Sequence, residues 1–403
     1  MWYNQAVTGG TSSQATDSGR VRRIGLNAQL LSLDPSYRSA GINRYIYNVL
    51  VNLPPSPDRY RFSTFLSDRR FPAAGHLNAR WSRLPTANPW VRIFWEQVVL
   101  PAVLWQEKLD LLHAMAFVAP LAASCPSLVT IYDLSFLRYP ETFKRGNRLY
   151  LTQFVRMSAR RATHFTAISA STARDIVDLL GVEPGRVSVI YCGVEDKYRP
   201  LPPAEVEVFR RQHGLPERMI LYLGTIEPRK NIGALIKAYH LLLKSWSAGQ
   251  GEPPRLVVAG GKGWEWEEVF SLVEELGLGG QVAFPGYVPE DELPWWYNAA
   301  ACFAYPSRYE GFGLPVLEAM ACGAPVVASA AASLPEVVGD AGLMVAPDDT
   351  EALARALFQV LTDDDLSGML REKGRQRAAG FSWARCAQET LAVYDRILAV
   401  GGR

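Results

Sequence analysis

At 403 residues the chain is too long for one ordinary α/β domain and fits two domains of about 150–200 residues each, which implies a cleft between them. Apolar residues make up 48% and charged residues 20%, enough to bury two cores and to confine disorder to the ends. Net charge is only +2, yet residues 1–200 hold 24 Lys and Arg against 14 Asp and Glu, while residues 201–403 hold 18 against 26. The first half is therefore expected to meet something anionic, such as a lipid head group, a membrane surface or a phosphorylated acceptor, although unequal charge also serves solubility alone.

Residues 1–19 are rich in Gly, Ser, Thr and Gln without an apolar run, and read as a disordered tail. No stretch reaches the roughly eighteen uninterrupted apolar residues of a membrane span, so a cytoplasmic location is expected. Five cysteines without a C-x-x-C pair argue against a disulfide framework and a thiolate zinc site. Five histidines without H-x-x-x-H spacing leave no protein metal site in view.

From Arg22 onward short β-branched runs alternate with longer amphipathic segments, the mark of a doubly wound parallel sheet. Residues 20–198 are read as a first Rossmann-like domain, with strands near Arg23–Leu30, Arg61–Leu66, Leu109–His113, Ser127–Tyr132, His164–Ser169 and Val187–Ile190. The stretch Arg80–Trp105 mixes arginines with Trp81, Trp90, Trp95 and Trp105, as a membrane-surface helix does; the other reading is a buried helix with snorkelling arginines. Gly193–Ala204 has no periodicity and crowds Pro200, Pro202 and Pro203, which places the linker there.

Residues 199–382 repeat the alternation as a second Rossmann-like domain, from a strand at Met219–Leu223 to one at Val326–Ala328. Ligands of such sheets bind outside the carboxyl ends of the strands, so the loops there carry the chemistry. One reads Gly224-Thr225-Ile-Glu-Pro-Arg229-Lys230-Asn231. Two cations before a helix oppose its dipole, which points to an anionic ligand rather than to an exposed basic turn. Gly260-Gly261 follows the next strand and is too degenerate to show phosphate binding by itself. The richest loop is Tyr305-Pro-Ser-Arg-Tyr-Glu310-Gly311-Phe312-Gly313-Leu314-Pro315-Val-Leu-Glu318. Its glycines let backbone approach a ligand, its helix start offers free N–H groups to a diphosphate, and Glu310 and Glu318 can accept from vicinal hydroxyls. An acidic residue at such a place also serves as a simple cap. Residues 383–403 form an amphipathic helix expected to return to the first domain.

Gly224–Gly342 resembles the donor-binding half of glycosyltransferase family 4, of GT-B architecture, through the E-x7-E spacing of Glu310 and Glu318, and the likeness extends from residue 22 through nearly the whole chain. The resemblance implies a retaining, metal-independent transferase using a nucleotide-sugar donor and no tightly bound cofactor. It implies that Glu310 meets the transferred sugar, Glu318 the ribose, Arg229 and Lys230 the diphosphate, and Tyr287-Val288 the base. Thr225 stands where many members carry an arginine. Ser39-Ala-Gly41-Ile-Asn-Arg-Tyr45 is similar to the family's glycine loop, and His113 to a strand-end histidine lining the reaction site. Tyr132-Asp133-Leu134 resembles an H-D-L segment, with Asp133 on the acceptor side. Trp95-Glu96-Gln97 with Gly41–Tyr45 looks most like the bacterial O-polysaccharide mannosyltransferase branch, so GDP-mannose is the favoured donor and a UDP-sugar the alternative. The expected acceptor is a glycan or lipid-linked glycan, with peripheral membrane association through the basic first domain and no nucleic acid. A sugar phosphorylase, a nucleotide-sugar epimerase and a non-catalytic nucleotide-sugar-binding subunit stay open as other readings.

Overall fold

The computed structural model describes residues 20–34, 40–142, 145–263 and 266–400. The tail expected over residues 1–19 and the start of the glycine loop at Ser39 lie outside them. Two fully parallel sheets form. The first contains β1 (Arg22–Ala28), β2 (Tyr60–Leu66), β3 (Ala79–Trp81), β4 (Leu111–Ala114), β5 (Ser127–Ile131), β6 (His164–Ala167) and β7 (Val187–Val189), in the order β3-β2-β1-β4-β5-β6-β7. The second contains β8 (Met219–Leu223), β9 (Arg255–Ala259), β10 (Val282–Gly286), β11 (Cys302–Tyr305), β12 (Val326–Ser329) and β13 (Gly342–Val345), in the order β10-β9-β8-β11-β12-β13. Strands such as β4, β5, β6, β11 and β12 are buried at every residue, as short apolar strands covered on both faces must be.

In each sheet the strand order reverses once, between β1 and β4 in the first and between β8 and β11 in the second. Loops leaving the two strands at such a reversal diverge and open a crevice. In the second sheet those loops are Gly224–Asn231 after β8 and Pro306–Gly313 after β11, the two segments the sequence singles out.

The chain crosses between the halves twice. On the way out Val194 N–H donates to Phe381 O at 3.2 Å, and Val194 bridges Ser382 in parallel fashion, so outgoing and returning segments lie side by side. The last helix, Trp383–Val400, then packs on the first half. Trp383 meets Tyr45 edge-on at 5.9 Å, and Asp395 takes Arg59 and Tyr60. Two strands escape the sequence reading, β3 and β13, both short and at sheet edges. Arg80 and Trp81 belong to β3, not to a helix. The irregular linker also ends earlier than its prolines suggest, because Pro203 sits in the first turn of a helix, Pro203–Gln212, where a missing N–H costs nothing.

Candidate active site

A cleft of about 1830 Å³ separates the two sheets' carboxyl rims. All expected site residues except His113 line it: Gly41 and Asp133 from the first half, and from the second Thr225, Arg229, Lys230, Gly260, Gly261, Tyr287, Val288, the run Glu310–Leu314 and Glu318.

At its centre Lys230 Nζ donates to Glu310 Oε1 at 2.6 Å and to Tyr305 Oη at 3.0 Å. Arg229 Nη1 donates to Tyr309 O at 2.9 Å and to Glu310 Oε2 at 3.3 Å, while its Nη2 pairs with Glu227 at 2.7 Å. The sequence places this cluster by two local devices. A single turn, Pro228–Lys230, ends at Asn231 in the left-handed region, turning the cations back over β11 before the helix Ile232–Ser245 begins. On the facing loop Gly313 (φ +108°) heads the helix Leu314–Ala321 with no side-chain cap; Pro315 has no N–H and Val316 and Leu317 donate to Gly313 O, so the Leu314 N–H and the positive end of the helix are what this loop offers an anion.

Burial alone would raise the Glu310 carboxyl, but Lys230 and Arg229 outweigh it and hold it down at about 2, so it is ionised. Burial and the neighbouring Arg229 lower the Lys230 ammonium, with Glu310 opposing them. Burial also weighs against the Arg229 charge, yet Glu310 and Glu227 raise it above the ordinary range. The site therefore holds two cations and two carboxylates, mostly buried, at the wall of the cleft, a preorganised field that an incoming diphosphate can share.

Gly311 has a different reason from the one its sequence suggests. A Cβ there would lie 2.1 Å from Tyr132 O and 3.1 Å from Asp133 Cβ, so this glycine is required by the approach of the opposite half. Asp133 faces the Pro306–Gly313 loop across that contact and accepts from Ser135 N at 2.8 Å and Ser135 Oγ at 2.6 Å. Tyr132 is engaged through its hydroxyl with Met115 O. Two more contacts hold the halves together: Tyr309 Oη donates to Asp175 Oδ2 at 2.7 Å, and Glu336 accepts from Ala170 N and Ser171 N at 2.6 and 2.7 Å.

His113 corrects the sequence reading. It is fully buried inside β4, paired with Leu26 and Leu128, and does not line the cleft. Its Nδ1 is 2.7 Å from Tyr394 Oη of the last helix and its Nε2 is 2.8 Å from Thr130 Oγ1. Burial pushes its imidazole down to about 3, so it is neutral, with both nitrogens occupied. Conversely, the sequence reading overlooked Arg44, whose guanidinium reaches Glu318 from the first half, and Tyr297, which donates to Glu318 Oε2 at 2.9 Å. Arg44 lies three residues beyond Gly41 in a segment already singled out; its position was legible, its partner was not.

Among solved structures the fold is similar to sucrose-phosphate synthase from Thermosynechococcus elongatus, with TM-score 0.70 and 23% identity over 94% of this chain and all of that one. It is also similar to Anabaena HepE in complex with UDP-glucose, with TM-score 0.68 and 20% identity over 93% of this chain and 99% of that one. The architecture is thus that of the GT-B glycosyltransferases. A family model described as Glycosyltransferase Family 4 matches residues 39–198, and one described as Glycosyl transferases group 1 matches residues 205–377. The chain is 37% identical over 269 residues to O-antigen chain mannosyltransferase B of Escherichia coli, covering 66% of this chain and 70% of that protein. It is 34% identical over 241 residues to the serotype-specific mannosyltransferase WbdA of Escherichia coli, covering 59% of this chain but only 29% of that longer protein. The protein belongs to glycosyltransferase family 4, and it is a glycosyltransferase enzyme.

Proposed function

We propose that the enzyme moves a hexosyl group, mannose favoured, from a nucleotide-diphosphate sugar to a glycan or lipid-linked acceptor in polysaccharide biosynthesis, with retention at the anomeric carbon. GDP-mannose is the favoured donor. The observation that carries the reading is the Lys230–Glu310–Arg229 cluster at the strand-order reversal, opposite an uncapped helix start. The mannosyltransferase names of the Escherichia coli relatives support the sugar.

Breaking the bond between anomeric carbon and phosphate builds negative charge on the diphosphate. Lys230, Arg229 and the helix start with its Leu314 amide would stabilise it there, the work a divalent ion does in other transferases. Glu310 would hold the transferred sugar through its hydroxyls. In a front-face reaction the departing phosphate oxygen itself takes the acceptor hydroxyl's proton, so Glu310 need not attack. Asp133, on the facing rim, would contact the acceptor, and Tyr287-Val288 the base.

For the acceptor side, the helical stretch from Pro89 to Gln106 leaves Trp90 (77% exposed), Phe94 (53%), Val98 (55%) and Trp105 (73%) on its outer face, while Trp95, Leu100 and Leu104 are buried. The helix Arg145–Arg161 contains five arginines and no acid, with Leu149 and Met157 exposed, and Leu121 touches both segments through Gln97 and Arg161. An apolar stripe beside a basic face fits the surface of an anionic phospholipid bilayer. Among the described residues no helix is long and apolar enough to cross a membrane. The decisive experiment is a thermal-shift panel of nucleotide sugars followed by product analysis with EDTA present. GDP-mannose is expected to raise the melting temperature most and to be consumed with retention; a shift with UDP-sugars alone would replace the donor, and no shift with either would refute the reading.

A further inference from the structure

Arg44 lies on the helix Ala40–Asn52, and its side chain reaches the second half. Its Nη1 donates to Glu318 Oε1 and its Nη2 to Tyr198 Oη; its Nε is 3.3 Å from Glu290 and 3.6 Å from Glu195. Glu318 is buried on the helix Leu314–Ala321. The other titratable groups facing it are Tyr297 from the helix Leu293–Ala299, Glu195 and Lys197 from the linker, and Cys322 at the end of its own helix. Burial pushes the Glu318 carboxyl upward, and Arg44 is the main influence opposing it.

A carboxylate offers about four lone-pair sites, two on each oxygen. Arg44 takes one on Oε1 and Tyr297 one on Oε2, which leaves one on each oxygen, the number that a ribose's two neighbouring hydroxyls require. We infer that Arg44 is a positioning residue: from the opposite half it orients Glu318 and keeps it ionised, so that the nucleotide ribose is gripped fully only when the two halves are closed. This rests on the reading of Glu318 as the ribose acceptor. Without a cation in contact, a buried carboxyl takes up a proton and presents a hydroxyl where the ribose needs an acceptor. A ligand that needs the pair binds the closed form better and so draws the halves together.

The test is equilibrium binding of GDP and of 2′,3′-dideoxy-GDP, which lacks both hydroxyls, to the wild type and to Arg44→Met, Arg44→Lys and Glu318→Gln. Wild type is expected to favour GDP by about tenfold or more, the worth of a hydrogen bond to a charged group. That preference should shrink toward one in Arg44→Met and Glu318→Gln and return in part in Arg44→Lys. GDP binding to Arg44→Met should strengthen as pH rises, with a midpoint above that of wild type. Preference retained in Arg44→Met but lost in Glu318→Gln overturns the inference alone. Preference retained in Glu318→Gln overturns the ribose reading with it. Tighter GDP binding in Arg44→Met would make Arg44 a competitor of the ribose and also overturn the inference. If Arg44→Met does not fold, Arg44→Gln, which keeps the length and polarity but not the charge, reads the same ratio.

Discussion

Glu310 and His113 are both buried side chains with two partners each, and their chemistry differs because their partners do. Glu310 meets two cations and stays charged; His113 meets two hydroxyls and stays neutral. Glu310→Gln keeps the shape but removes the charge, leaving Lys230 without its counter-ion. Turnover is expected to fall by about 10²–10³, the scale of one lost electrostatic contact at a reacting centre, with circular dichroism unchanged. Lys230→Ala should fall by a similar factor in kcat. His113→Ala behaves oppositely: two buried hydrogen bonds vanish, so the melting temperature drops for a cost of about 2–3 kcal/mol, while kcat/KM of the protein that remains folded changes little. A variant with full stability and no turnover would return His113 to the chemistry.

Among the elements, the loop after β11 does two jobs with two glycines. Gly313 sets the helix start that faces the cleft, whereas Gly311 admits the Tyr132 carbonyl. Gly311→Ala is therefore expected to leave the second half intact and nucleotide binding measurable, but to hold the halves apart; scattering should show a larger radius of gyration and turnover should be lost. An unchanged radius with unchanged turnover would contradict the contact. The two cleft loops were legible in the sequence because each is local: a strand, a cationic turn and a helix follow one another around Arg229–Lys230, and a strand, a carboxylate, glycines and a helix follow one another around Glu310–Gly313. The partners of Arg44 and His113 were not legible for the converse reason. Arg44 finds Glu318 274 residues away, and His113 finds Tyr394 281 residues away, and periodicity places a residue on an element without naming what will lie against it. His113 lies in a strand buried at every residue, and the last helix that closes over it is what puts it in the core rather than on the rim.

At the scale of the whole molecule, buried titratable groups couple stability to pH in opposing senses. His113 is held down at about 3 and His164, by burial with Arg396 and Arg186 nearby, at about 4, whereas an unfolded imidazole binds its proton near 6.5. These two imidazoles therefore favour the unfolded chain increasingly as pH drops below about 6.5, while Glu96, whose carboxyl burial raises to about 7, favours the folded chain between about pH 7 and 4.5 and offsets part of that loss. Glu310, held at about 2, adds a loss only below the ordinary carboxylate range, about pH 4.5. Melting temperatures between pH 6.5 and 4.5 should thus slope less steeply in His113→Gln than in wild type. The basic, apolar outer face of the first half makes a separate prediction: the enzyme should float with vesicles containing phosphatidylglycerol but not with pure phosphatidylcholine, and Trp90→Ser with Trp105→Ser should abolish flotation without altering nucleotide binding. Flotation unaffected by those changes would place any lipid contact elsewhere.

The helix Trp383–Val400 carries the partner of His113 and covers Tyr45 and Tyr60, so the core of the first half is completed by residues made about two hundred positions after its own last strand. During synthesis the second half can close its sheet while the first still lacks a wall. A nascent chain stalled before Trp383 should accordingly expose its early segments to protease, and chaperones that shelter apolar surface would find their longest-lived target at the amino-terminal side, against the usual order in which what emerges first is finished first.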